Sequence, residues 1–211
     1  MIYRILILVL ISFSFSDVND FILTELYDQR TSWEKYDDYN DNTVVYTGYG
    51  YNDNMMFIKI ERKIEFKKED LFKVIKDIES YNLVLTNKNI FSDLVTIDED
   101  VIYAHQLITN VIPLVRNRQY IFKMYSYNEN RIDWTLVDSE NKIMEGYLGK
   151  NVHNLYYGAG SWHLNSDNIL SYRMYIDDEA KLPNTFIKKI RINSALDVFN
   201  DVLNYIDKKE N

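Results

Sequence analysis

The stretch PNTFIKKIRINSALDVFNDVLNYI, residues 183–206, decides how the rest of the chain is read. Its apolar residues Phe186, Ile187, Ile190, Leu196, Phe199, Leu203 and Ile206 fall mostly three and four apart, the period of an amphipathic helix. Lys188, Lys189, Asp197, Asn200 and Asn204 fill the other positions, and Pro183 is tolerated in a first helical turn. Such a helix is a rod of about 36 Å, long enough to lie across a whole sheet. The residues before it should therefore supply that sheet.

They do so in short pieces. TVVYTGYGYN (43–52) and MMFIKIERKIEF (55–66) read as strands turned at Asn52-Asp53-Asn54, and further strands are expected over 93–98, 101–109, 117–127, 131–138, 160–165 and 169–176. Residues 142–157 read as another strand broken at Gly146 or Gly149, with Gly158-Ala159-Gly160 as the turn after it. Two shorter helices are predicted: one over 18–29, and one over 67–81, where Leu71, Phe72, Val74, Ile75 and Ile78 share a side and Glu69 and Asp70 suit the first turn. Helices segregated from a run of antiparallel strands make one α+β domain. A curved sheet gripping one long helix can fail to close on it, and the gap is a cavity.

Strand parity indicates which side chains face that gap. On 117–127, Arg118, Tyr120, Phe122, Met124 and Ser126 share one face, and Lys123 turns the other towards water. Tyr120, Phe122 and Met124 are then wall residues. Arg118 sits at the strand mouth, where an unpartnered buried guanidinium is very unfavourable, so it serves as a structural clamp or touches the ligand. Arg116 has the same parity but reads as a solvated loop residue. On 101–109 parity does not decide between Tyr103, His105, Leu107 and Thr109 on one face and Ile102, Ala104, Gln106 and Ile108 on the other.

From about Trp33 to Ile206 the sequence resembles a StAR-related lipid-transfer (START) domain of the helix-grip superfamily, on three patches. These are Pro113-x-Val115-x-Asn117-Arg118-x-Tyr120; Gly160-Ser161-Trp162 with Tyr172-Arg173-Met174-Tyr175-Ile176-Asp177; and Asp177 followed by Leu182-Pro183 and Phe186-Ile187. The chain departs from the pattern at Gln119, where the family usually has Asp, at Asp178-Glu179-Ala180 in place of a proline-glycine turn, at Thr185 in place of an aromatic, and near Leu85, where a tryptophan is missing. The resemblance implies a hydrophobic tunnel between sheet and C-terminal helix that holds one lipid-like molecule, with the helix or a neighbouring loop as lid. Sterol-binding members pair an acid and an arginine inside the tunnel; those positions are His105 and Met124 here, so that ion pair is absent. The candidate ligand-contacting residues are Tyr103, His105, Leu107, Arg118, Tyr120, Phe122, Met124, Trp162, Phe186, Ile190 and Phe199.

Composition bounds the alternatives. Met1–Ser16 combines one arginine, an uncharged apolar run from Ile5 and small residues at Ser14 and Ser16, the plan of a signal peptide. Residues 17–211 would be the mature domain, periplasmic or secreted; a retained membrane anchor is the alternative, though the run falls short of the about 20 residues a spanning helix needs. The net charge of −8 argues against nucleic acid, which requires a basic footprint. With no cysteine, disulfides are excluded and an exported monomer must rely on its core. The 18 tyrosines against 10 Phe and 3 Trp suit half-wet surfaces, or reflect composition bias.

His105, His153 and His163 lie on separate predicted strands and show no metal-ligand spacing; no phosphate loop or nucleophile elbow is present, and no cofactor is expected. The acidic clusters Asp37-Asp38, Asp98-Glu99-Asp100 and Asp177-Asp178-Glu179 read as solvated turns. Lys188, Lys189 and Arg191 form either a solvated face or a patch for transient membrane contact. A non-enzymatic carrier of a lipid or small hydrophobic ligand is expected. The rivals are a cyclase or aromatase using His105, Tyr103 and Tyr120, and an interaction module whose cavity its own tyrosines fill.

Overall fold

The computed structural model describes residues 18–39, 41–50, 55–109, 116–147, 152–177 and 184–210. The expected leader, the Asn52-Asp53-Asn54 turn, Pro113 and Val115, Gly149, Asp178-Glu179-Ala180 and Leu182-Pro183 lie outside them. In chain order the elements are α1 (Val18–Glu25), β1 (Ser32–Asp38), β2 (Val44–Tyr49), β3 (Met56–Lys63), α2 (Lys68–Lys76), α3 (Tyr81–Val84), β4 (Ile90–Asp98), β5 (Val101–Ile108), β6 (Arg118–Asn128), β7 (Arg131–Leu136), β8 (His153–Asn154), β9 (Gly158–Leu164), β10 (Ile169–Ile176) and α4 (Asn184–Glu210).

All ten described strands join one sheet in the order β1-β2-β3-β10-β9-β7-β6-β5-β4, with β8 added in parallel to β6 and every other pair antiparallel. This is an α+β helix-grip fold. α4 lies against α2 and β3 and buries Ile192, Ala195, Phe199, Val202, Leu203 and Ile206 in the main core. The expected second helix stops at Lys76, where Asp77 leaves helical geometry and donates its N–H to the Lys73 and Val74 carbonyls. One 3-10 turn (Ile78–Ser80) and α3 complete the predicted stretch, pinned by the Tyr81 hydroxyl donating to the Ile75 carbonyl at 2.5 Å.

The opposite face of the sheet is covered by α1. Its Asn19 is 1% exposed and donates to the carbonyls of Leu136 and Tyr156, both at 2.9 Å, while its side-chain oxygen accepts from Gly158 N–H at 2.7 Å. One amide thus closes three backbone groups that the strand ladder leaves over. Beside it the Arg131 guanidinium lies 3.6 Å over the Tyr27 ring and donates to buried Asp133 at 2.7 Å.

One strand escapes the sequence reading and two expectations fail, each for an identifiable reason. β1, SWEKYDD, is an edge strand with little burial, so it carries no apolar alternation to betray it. Residues 142–157 are not a long strand: Lys142–Gly146 is a 3-10 helix, capped by the Asn141 side chain accepting from Ile143 N–H at 3.0 Å, and β8 has two residues. Gly158-Ala159-Gly160 is no turn but the start of β9. A Cβ at Gly160 would sit 2.5 Å from the Trp134 indole, so the glycine makes room for a ring rather than a bend. His153 pairs with Arg118 on β6 and His163 with Arg131 on β7.

Candidate ligand cavity

Between the sheet and α4 lies a hollow of about 170 Å³. Its wall follows from cross-strand register. Directly opposed residues in antiparallel strands share a face, so the known parity of β6 propagates. Arg118 faces Ile108, Tyr120 faces Gln106, Phe122 faces Ala104 and Leu136, and Met124 faces Ile102 and Trp134. Arg118, Tyr120, Phe122 and Met124 all line the hollow, together with Gln106, Ile108 and Trp134. β3 adds Met56 and Ile58, β10 adds Tyr172 and Met174, and α4 adds Ile190, Arg191, Ser194, Ala195 and Val198.

The floor is aromatic. Trp162 stacks on Tyr172 at 4.1 Å between centroids and on Phe199 at 5.9 Å, the last pair tilted by only 4°. Trp162 and Ile190 line the hollow as expected from sequence, whereas Phe199 is fully buried behind Trp162 and is not exposed to the hollow. Phe186, on the first turn of α4, is 49% exposed and does not line the hollow.

The register also shows that Tyr103, His105 and Leu107 lie on the other face of the sheet. Tyr103 packs beside Ile121, Val137 and Met144, and Leu107 opposes Gln119. The His105 ring lies 4.8 Å from that of Tyr147, with Nε2 3.2 Å from Gln119 Oε1. Gln119, 5% exposed, donates to the Tyr147 carbonyl and to Asn154 Oδ1 at 2.7 Å. Gln119 therefore fastens Tyr147 and Asn154 to the outside of β6 and takes no part in the cavity.

Inside, polar groups cluster at one end. Tyr120 donates its hydroxyl to Gln106 Oε1, and Gln106 Nε2 donates to Ser92 Oγ at 2.8 Å, fixing both side chains against the wall. Burial pushes the Tyr120 and Tyr172 phenols well above the usual tyrosine range, so both stay neutral donors and acceptors. Gln106 escapes sequence reading because a polar amide between Ala104 and Ile108 looks like an outward position; its pairing partner Tyr120 was the available signal. No three described His, Asp or Glu side chains come together in a way that would hold a metal ion. No described helix is long and apolar enough to cross a membrane.

By sequence, no family model and no curated protein matches the chain. Solved structures do match by shape. A STAR-related lipid transfer protein fragment from Xanthomonas axonopodis superposes with a TM-score of 0.68 at 14% identity, covering 83% of this chain and 98% of its own. Human StAR-related lipid transfer protein 5 gives 0.68 at 9% identity over 92% of this chain and 95% of its own. Human STARD10 gives 0.62 at 13% identity, over 91% of this chain and 81% of its own. The chain has the helix-grip fold of the START domains.

Proposed function

We propose that this chain is an exported binding and transfer protein for one small hydrophobic or lipid-like ligand, held between the sheet and α4. The observation that carries the reading is the hollow itself, an apolar chamber walled by Phe122, Met124, Trp134 and Trp162 and roofed by a single helix. Burying apolar ligand surface there is favourable by about 25 cal/mol per Å². Volume limits the occupant. About 170 Å³ is close to the engineered apolar cavity of about 150 Å³ that takes up benzene. One ring system or a short acyl chain suits that volume. Carriage is favoured over catalysis because, of the three polar residues that a cyclase reading needs, Tyr120 alone lines the chamber while Tyr103 and His105 sit on the far face.

Phe122→Arg tests the chamber. Native mass spectrometry of the full chain recovered from a bacterial periplasm should reveal one bound small molecule on the parent protein, with the mass expected for cleavage after Ser16. The variant should lose the ligand while its circular dichroism stays near that of the parent. Equal ligand retention by Phe122→Arg would remove this wall from the reading.

A further inference from the structure

Tyr172 presents a hydroxyl that the protein aligns and then leaves without an acceptor. Its ring is stacked on Trp162 at 4.1 Å, with Phe199 stacked on the same indole, so the phenol is held in place. Its oxygen accepts from the Trp134 indole N–H, and that contact spans a whole strand. Trp134 of β7 opposes Gly160 of β9, which opposes Met174 of β10; Tyr172, two residues before Met174, opposes Trp162. The indole can lie over β9 because Gly160 has no side chain. A Cβ there would come within 2.5 Å of Cε2 and Cζ2, the carbons on the nitrogen side of the Trp134 ring.

An indole N–H only donates, so the phenol is the acceptor of this pair and its own proton is left over. Among the described residues no acceptor takes that proton. The nearby phenols are already committed, Tyr81 to the Ile75 carbonyl and Tyr120 to Gln106 Oε1. Tyr172, Trp134 and Trp162 all line the hollow, so an O–H donor stands at an apolar chamber with no protein group to bond. A buried donor left unmade is expensive, and an occupant that brings an acceptor removes that cost. The aromatic faces of Trp134, Trp162 and Phe122 around it favour a flat ring as the rest of that occupant.

Resting on the ligand-binding reading above, we infer that the occupant is an aromatic carbonyl compound: its oxygen accepts a hydrogen bond from the Tyr172 hydroxyl, and its ring lies among Trp134, Trp162 and Phe122. Acetophenone and α-methylstyrene share one planar shape and differ in a single group, the carbonyl oxygen of the first being a CH2 in the second. Isothermal titration of the full chain with each, in the parent and in Tyr172→Phe, isolates the hydroxyl, because the variant keeps the ring and its stack. Comparing each compound with itself also cancels their different affinities for water. Tyr172→Phe should weaken acetophenone about five- to tenfold, the scale of one net hydrogen bond, and leave α-methylstyrene within about twofold. In the parent protein the carbonyl stretch of bound acetophenone should fall below its frequency in an alkane. If the variant does not fold, the stretch alone decides. Equal losses of both compounds in a folded variant make Tyr172 a packing wall and overturn the inference. An unchanged acetophenone affinity or an unshifted stretch overturns it too, while binding of α-methylstyrene to the parent leaves the chamber reading standing. If neither compound binds the parent, the ligand-binding reading fails and this inference fails with it.

Discussion

The two halves of α4 are held in different ways. Its C-terminal half is buried and latched: Phe199 stacks on Trp162, Val202, Leu203 and Ile206 are almost wholly enclosed, and Asp201 accepts from both the backbone N–H and the hydroxyl of Thr86, at 2.8 and 2.9 Å. Its N-terminal half roofs the hollow. There Phe186 is 49% exposed, and Lys188 reaches Thr47 Oγ1 at 3.4 Å and lies 5.2 Å from the Tyr36 ring. One helix thus serves as both core element and roof, and the half with fewer buried apolar contacts is the one expected to move on ligand entry. Phe199→Ala strikes the stronger half. Truncating a wholly buried phenylalanine costs about 3–5 kcal/mol, so thermal unfolding should shift down by many degrees. A small shift in Tm would mean that the stack does not anchor the helix.

Asp201→Ala cuts the latch without touching the stack. It removes the acceptor of the Thr86 N–H and hydroxyl, and because Thr86 is exposed water can take its place, so the loss is about 0.5–1.5 kcal/mol for each bond. The neighbouring residues Leu85 and Asn87 line the hollow, so the variant should also release bound ligand faster, measured as an increased off-rate. Lower stability with an unaltered off-rate would separate the latch from the chamber.

How much of this was legible in the sequence depends on whether a residue's role is local or relational. α4 was readable because its 3.6-residue period is written in contiguous positions, and the cavity face of β6 because Tyr120, Phe122 and Met124 alternate; its other face is not the wet side that Lys123 suggests, since Gln119 and Ile121 are buried there and Lys123 lies beside Asp20 of α1. β5 was not, because neither of its faces is purely apolar and the choice is made by β6, across a hydrogen-bonded register that no single strand encodes. His105 looked like the polar point of the chamber; Gln106, one residue on, occupies that place because it opposes Tyr120. Gly160 misled for a similar reason. Glycine signals a turn when read along the chain, whereas here it answers the bulk of Trp134 on the neighbouring strand. The resemblance to START domains gave the architecture without fixing the whole lining, since the lining residues supplied by β3, β5 and β7 follow from pairing rather than from the motif patches.

The smallest expected effect tests the weaker half of α4. Lys188→Ala removes a long hydrogen bond and a distant cation–π contact at the protein surface, so stability should change by no more than about 0.5 kcal/mol. Hydrogen exchange is the sensitive readout. Amides of the first turns of α4, around Phe186 to Ile190, should exchange faster than those around Phe199 to Leu203 in the parent protein. Lys188→Ala should widen that gap by speeding the first group alone. Uniform exchange along α4 would show that the helix opens as one body, and the roof would then have to move together with Phe199, against the full cost of unstacking Trp162.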